Sequence, residues 1–408
     1  MKYIFYSLAI FILSCSFQTE ESNSEVSNEE VHKEQPCLTE LPSDFQTGAE
    51  QIEKVLLSLK GKSVGIVGNP SSQVNGKHLV DVFMENEVAL QRIFCPEHGF
   101  RGEGAAGASI VDSIDEKTGL PIVSLYGKNK KPSPDLLNDI DILVFDIQDV
   151  GARFYTYIST LHYIMEAAAE TNTKVLILDR PNPNGHVVDG PILNPEFKSF
   201  IGMHPIPVCH GMTIAEYGQM INGEGWLTDG IKCDLSVIPC LNYIRNSKYE
   251  LPIKPSPNLP SYKSILLYPS LCFFEGTSVS AGRGTDTPFE WYGHPKIEGN
   301  GKTFTPSSRK ESPKPKLESM TCQAHSFDED ALLEISCSSK LNITELLSTY
   351  ALLKEDFFSR PDFFDLLAGS DQFRKQILAG ISEEEIRESW EVGLTQFKKI
   401  RSKHLLYP

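Results

Sequence analysis

An apolar run that ends abruptly in charge constrains this chain more than any other feature. From Asp141 to Tyr157 it reads DILVFDIQDVGARFYTY. Ile142, Leu143, Val144 and Phe145, with Ile147 one step on, suit a strand buried on both faces of a parallel sheet. Asp146, Gln148, Asp149, Gly151 and Arg153 follow, and then Tyr155 and Tyr157. In open α/β sheets ligands sit outside the carboxyl ends of the strands, so polar groups crowded onto a strand exit point to a site. A capped turn would need only Asp149 ahead of Gly151. Two acids, an amide and an arginine go beyond that.

The surrounding chain alternates strand and helix. Gly48 to Leu59 has Ile52, Val55, Leu56 and Leu59 at helical spacing. Ser63 to Val67 reads as a strand, Leu79 to Glu85 as a helix, and Leu90 to Phe94 and Pro121 to Leu125 as further strands. After Asp141 to Ile147 come a helix over Leu161 to Glu170 and a strand over Lys174 to Leu178. Such alternation implies right-handed parallel crossovers and a Rossmann-like sheet. Four strand exits carry polar residues with Gly or Pro: Gly68 to Ser72, Cys95 to Gly102, Asp146 to Arg153 and Asp179 to Pro183. One site on one sheet edge explains the repetition.

Gly102-Glu103-Gly104-Ala105-Ala106-Gly107 satisfies GxGxxG literally. The dinucleotide fingerprint must follow a strand directly and open a helix. Here the strand ends near Phe94, and Ala108 to Gly119 does not read as a long helix, so a nicotinamide cofactor is not expected.

The first residues read as an address. Lys2, an apolar run from Tyr3 to Leu13, and Ser14 before Cys15 describe a secretory signal too short to span a bilayer. Ser14-Cys15 resembles the lipobox of bacterial lipoproteins, which makes residues 1–15 a lipoprotein signal peptide and Cys15 the lipidated residue. From Ser16 to Glu40 there are seven Glu and one Lys, 1 − 7 = −6 of the chain's net charge of −16. Residues 16–44 are therefore expected to be a flexible acidic tether. The acidic balance excludes nucleic acid as a partner. The expected location is the cell envelope of a bacterium, at the periplasm or outer-membrane face, with the membrane reached through the lipid anchor.

Residues 45–250 are expected to form the Rossmann-like domain and 251–408 a smaller α+β domain. In the second part, Thr213 is a natural N-cap for a helix from Ile214 to Ile221, and Ser382 with Glu385 makes a capping box for Glu383 to Lys399. Helices are also expected over Leu346 to Leu353, Phe363 to Leu367 and Asp371 to Ala379. Pro255-Ser256-Pro257-Asn258-Leu259-Pro260 must be extended, and Ser307 to Lys316 reads as an exposed loop. Phe274-Glu275-Gly276-Thr277 and Gly282-Arg283-Gly284-Thr285 suit an anionic or polyhydroxyl ligand. The nine cysteines show no CxxC and no metal-like spacing with histidine. Cys233 and Cys240 could pair, as could others.

Several motifs stand in one order: PEHGFRG from Pro96, DIQDVGARFYTY from Asp146, DRPNPNG from Asp179, HGMT from His210, PSPNLP from Pro255, FEGT from Phe274 and GRGT from Gly282. FDLLAGSDQFRKQI and the stretch from Trp390 to Tyr407 follow. Together they resemble the exo-β-N-acetylmuramidases of the NamZ type, formerly the DUF1343 family, from about Gly48 to Pro408. The resemblance implies a Rossmann-like domain joined to a smaller C-terminal domain, with the active site in the cleft between. It implies a glycoside hydrolase that releases N-acetylmuramic acid (MurNAc) from non-reducing ends of peptidoglycan fragments, in cell-wall recycling, with no metal or nucleotide. The glutamate of PEHG, here Glu97, is the catalytic residue it implies. This chain departs from the family pattern at Cys95, at Ser278 after FEGT, and at Tyr292 to Pro295, where YGHP replaces GAP.

The residues suit that chemistry in their own right. Glycosidic cleavage passes through an oxocarbenium-like state and needs an acid for the leaving oxygen, usually with a second carboxylate. Glu97 sits on a strand exit, with His98 beside it to orient it or transfer a proton. Asp149, Asp146, Glu275 and Glu290 are candidates for the second carboxylate, Asp149 first because it lies past the strand end. Arg101, Arg153 and Arg283 could hold the lactyl carboxylate of muramic acid by bidentate hydrogen bonds. Gln148, Tyr155, Asn182 and Asn258 complete the expected substrate contacts. A surface lipoprotein that binds cell-wall sugar without chemistry is the alternative. An esterase finds no GxSxG elbow to support it.

Overall fold

The computed structural model describes residues 38–97, 99–101 and 113–408. Cys15, the signal, most of the tether, His98 and the Gly102 to Gly107 motif lie outside these residues.

Seven strands form the central sheet: β1 (Ser63–Gly68), β2 (Ala89–Cys95), β3 (Ser113–Ile114), β4 (Pro121–Ser124), β5 (Ile142–Asp146), β6 (Lys174–Leu178) and β7 (Leu235–Ile238). Their order is β7-β6-β5-β1-β2-β4-β3. Neighbours are parallel except β3 on β4. The chain builds from β1 to one edge, returns to the other side of β1, and builds outward again from β5. This is the doubly wound, Rossmann-like order, and its reversal point lies between β1 and β5.

Period-two alternation sorts each strand's side chains onto two faces. Ile142 and Val144 of β5 join one core with Val64, Ile66, Leu176 and Leu178. Helices α1 (Ile52–Leu59) and α2 (Leu79–Glu85) cover this face through Val55, Leu59, Leu79 and Phe83. Leu143 and Phe145 join the other core with Val67, Val175 and Ile177. There α3 (Tyr157–Thr171) and α4 (Ile214–Gly223) pack through Leu161, Met165, Tyr217 and Ile221. Every residue of β5 is buried, as the unbroken apolar run required.

The rest of the chain packs onto the α3 and α4 face. It comprises α5 (Tyr262–Leu271), a 3₁₀ turn over Cys272–Gly276, and a small antiparallel sheet. The sheet's strands are β8 (Trp291–His294), β9 (Lys302–Phe304) and β10 (Cys322–Ser326), with β10 in the middle. Helices α6 (Glu329–Cys337), α7 (Thr344–Leu353), α8 (Pro361–Ala368), α9 (Gln372–Leu378) and α10 (Glu383–Arg401) follow. Phe273, Phe364, Phe373 and Trp390 belong to the same core as Leu161 and Met165. Ser382 forms its expected capping box with Glu385, and Thr213, expected as an N-cap, forms one with Glu216.

Four features differ from expectation. The tether ends before residue 44: Thr39–Glu40 pairs as a parallel strand with Ser247–Lys248, and Phe45 packs on Tyr243 and Tyr249. Helix α5 is hidden in the sequence by Pro269, which cannot donate to the carbonyl four residues back. That carbonyl, of Ile265, instead accepts from Asn184 Nδ2 at 3.1 Å, so the DRPNPNG segment repairs the helix. Cys233 and Cys240 are free, buried thiols, while Cys337 is disulfide-bonded. Finally, the loop over Ser307 to Lys316 is not exposed throughout, because the Lys316 ammonium is buried and donates to three carbonyls, those of Phe274 (2.6 Å), Thr277 and Val279 (3.0 Å).

Candidate active site

Glu97 leaves β2 one proline past its end and faces a cleft of about 280 Å³. Tyr155, Thr156 and Tyr157 line the cleft from the β5 exit. Asn258, Tyr268, Glu275, Arg283 and Phe289 line it from the second half of the chain. Both halves therefore build one site.

Local chemistry sets each group. The Tyr126 hydroxyl, just past β4, is hydrogen-bonded to Glu97; burial first, then the carboxylate's charge, pushes that hydroxyl up. Tyr155 donates to the Pro255 carbonyl at 2.7 Å, which hooks the PSPNLP segment to the sheet edge. Asn258 is held in turn by its own donation to Glu311 O at 3.0 Å. Tyr155, Tyr268 and Phe289 meet edge to face at 5.9 and 5.1 Å and form an aromatic wall, the kind of surface that takes the apolar face of a sugar ring. Glu275 rides on the 3₁₀ turn whose carbonyls Lys316 clamps; burial lowers that ammonium to about 8. Arg283 stands between Gly282 and Gly284, both at positive φ (76° and 83°), so the turn can project it without steric cost. Its guanidinium lies 4.0 Å from the Glu275 carboxylate.

The expected set divides on this geometry. Glu97, Tyr155, Asn258, Glu275 and Arg283 share the cleft wall. Seven others do not, and each has a partner of its own. Arg101 is bound by Asp81 (2.9 and 3.1 Å) and Asp115 (2.8 and 2.9 Å). Asp146 is fully buried against Arg180 at 2.6 and 2.9 Å; burial pushes its carboxyl up and the guanidinium pulls it back. Gln148 donates to the Asp149 and Pro181 carbonyls, both at 2.7 Å. Asn182 donates to Met212 O at 2.9 Å. Arg153 is 0% exposed and donates to the carbonyls of Pro191, Ile206 and Leu367 at 2.7, 2.7 and 2.8 Å. Burial lowers its guanidinium to about 9.

Asp149 is likewise absent from the cleft wall. It is 2% exposed, and its Oδ2 caps the Gly151 amide at 2.7 Å, with His210 at 3.5 Å. The contacts of Oδ2 are those of a capped turn, while the buried Oδ1 has no hydrogen-bond partner among the described residues, and Glu275 is the candidate second carboxylate that reaches the cleft. Glu290 accepts from Ser261 at the start of α5 and is also not on the wall. The reason is general to these exits: polar groups that leave a buried strand are themselves buried and need partners, which Asp146 finds in Arg180, and Gln148, Arg153 and Asn182 find in backbone carbonyls. Tyr126 and Lys316 carried no sequence signal beyond their residue type. Among the described residues, no group of three or more His, Cys, Asp or Glu could hold a metal ion.

Comparison with known proteins decides the family. The model of the N-terminal region of the exo-β-N-acetylmuramidase NamZ matches residues 64–263, and that of its C-terminal region matches residues 266–407. The chain is 41% identical over 377 residues to the peptidoglycan β-N-acetylmuramidase NamZ of Bacillus subtilis (strain 168), covering 86% of this chain and 88% of that protein. It belongs to the NamZ family. Two crystal structures of DUF1343-family proteins from Bacteroides fragilis NCTC 9343 share the NamZ architecture seen here. One has a TM-score of 0.82 at 46% identity, over 90% of this chain and 99% of its own. The other has a TM-score of 0.74 at 29% identity, over 89% and 99%. Membership of a family of glycoside hydrolases does not favour the non-catalytic sugar-binding alternative.

Proposed function

We infer that this chain is an exo-acting glycoside hydrolase that releases MurNAc from the non-reducing ends of peptidoglycan fragments. The observation that carries the reading is one cleft holding Glu97, Glu275 and Arg283 together in a NamZ-family chain. Glu97 serves as the acid that protonates the leaving oxygen, with Tyr126 orienting its carboxyl group. Glu275 serves as the second carboxylate, facing the positive charge that develops on the sugar ring. Arg283 holds the lactyl carboxylate, and its place 4.0 Å from Glu275 supports that role by keeping the anion beside the reacting ring. Asn258 and the aromatic wall around Tyr155 orient the sugar.

The location belongs to the same proposal. Cys15 carries a lipid, and the Glu-rich segment after it lets the enzyme reach its substrate from the cell-envelope membrane. Ser14-Cys15 after an apolar run supports this, as does the disulfide at Cys337, which favours an oxidising compartment. No described helix is long and apolar enough to cross a membrane.

The test is a chromogenic β-MurNAc glycoside incubated beside its β-GlcNAc counterpart. Release of chromophore and free MurNAc from the first, with little from the second, is expected. No turnover of the MurNAc glycoside would refute the reading.

A further inference from the structure

The wall that carries Glu275 and Arg283 has a second face. Behind it opens a pocket of about 390 Å³ lined by the same two residues with Ser280, Ser312, Lys314 and Lys316. Three cations there face one carboxylate. Lys316 gives its ammonium hydrogens to the carbonyls of Phe274, Thr277 and Val279, so it lends fixed charge rather than donors. Lys314 stands exposed at the rim and Arg283 joins the pocket to the cleft.

A different pocket shares Asn258 with the cleft. That pocket, of about 380 Å³, is lined by Lys254 and Arg309 and also by Asp286 and Glu311, so its charges balance. Of the two pockets that border the cleft, one thus carries net positive charge and the other none. A balanced polar surface suits an uncharged sugar. An excess of positive charge suits an anion, because each contact is charge-assisted.

We propose that the pocket behind Arg283 is an anion-accepting subsite for a charged substituent that the muramyl unit carries besides its lactyl group. This rests on the muramidase reading of the cleft and deepens it by naming a class of substrate. The anion has two chemical sources: a phosphate ester on a sugar hydroxyl, which adds to the lactyl carboxylate, or the carboxylate of a peptide, whose amide bond to the lactyl group removes the lactyl carboxylate so that Arg283 meets the peptide's carboxylate instead. Either enters past Arg283 and is met by Lys314, with Lys316 holding the charge of the pocket floor.

Calorimetric titration of the full chain with MurNAc, MurNAc 6-phosphate and MurNAc-L-Ala-D-Glu tests this, alongside turnover of the chromogenic MurNAc glycoside. MurNAc 6-phosphate should bind about tenfold or more tightly than MurNAc, or MurNAc-L-Ala-D-Glu about tenfold or more tightly than the same compound with both Glu carboxyls amidated, the gain of one charge-assisted contact in either pair. High salt should shrink that gain. Lys314→Glu should abolish it while turnover of the unsubstituted glycoside and the melting curve stay unchanged. The ligand that gains identifies the source of the anion. If neither gains, or if Lys314→Glu keeps the gain, the subsite is refuted. That result is distinct from failure of the muramidase reading, which shows as absent glycoside turnover in the wild type.

Discussion

Replacing Arg153 by Ala separates a structural arginine from a substrate-binding one. Its guanidinium is wholly buried and donates to the carbonyls of Pro191, Ile206 and Leu367, which ties the β5 exit to two loops and the end of α8. Arg153→Ala strands three buried acceptors, at roughly 1–3 kcal/mol each. The cavity left by so large a side chain adds roughly 2–5 kcal/mol. Against this stands relief from burying a charge, which the fall from 12.5 to about 9 puts at roughly 5 kcal/mol. The net is a loss of roughly 4 kcal/mol, or about 8 °C in Tm at about 2 °C per kcal/mol for a unit of this size. Affinity for MurNAc should change little in protein that remains folded. Differential scanning calorimetry with MurNAc titration reads both quantities. A variant that keeps the wild-type Tm but loses MurNAc binding while keeping that of GlcNAc would refute the structural assignment.

Arg283→Ala should do the opposite, weakening MurNAc by about tenfold to a hundredfold relative to GlcNAc, as loss of a charge-assisted contact to the lactyl group predicts; equal losses for both sugars would count against it. Acid should destabilise the fold. Burial holds His78, His162 and His186 at about 4 and His204 well below its ordinary value. These folded-state values lie under the unfolded 6.5, so the unfolded chain binds more protons between pH 6.5 and 4, and stability falls as pH drops through that window. Asp179, raised by burial to about 7, works in the other sense, because stability is lost as pH rises from 3.8 towards 7. Four lowered histidines outweigh two raised carboxyls, Asp179 and Asp146, so denaturant midpoints should drop from pH 7 to pH 4, and a flat profile would contradict the assignment. In cells, Cys15→Ala should abolish labelling by a fatty-acid analogue and partition into detergent. Unchanged labelling would sink the lipid anchor.

The sheet was legible because its strands are short apolar runs whose exits break sharply, and β6 begins and ends where its sequence says. Helix α5 was not, since Pro269 reads as a helix breaker and its repair by Asn184 comes from a distant segment. The strand exits led to the sheet edge that borders the cleft, where Glu97 lines it and most of the other exit charges do not. Asp146 with Arg180, and Asp149 with Gly151, look like site chemistry in one dimension and are buried pairs in three. Glu97, Glu275 and Arg283 came together because glycine- and proline-bounded turns present them, and turn chemistry can be read locally. Tyr126 and Lys316 act through contacts made far along the chain, which no spacing rule contains.

Steady-state kinetics of Glu97→Gln on two MurNAc substrates, one with a poor leaving group and one with a nitrophenyl group, tests the central claim most directly. Gln keeps the size and hydrogen bonding of Glu97 but has no titratable proton. Turnover on the poor leaving group should fall by about 10²–10⁴ or more, the worth of general acid catalysis, and the activated substrate should lose less. MurNAc binding and the melting curve should stay close to wild type. A folded Glu97→Gln protein with near wild-type turnover on the poor leaving group would remove Glu97 as the acid and contradict the account.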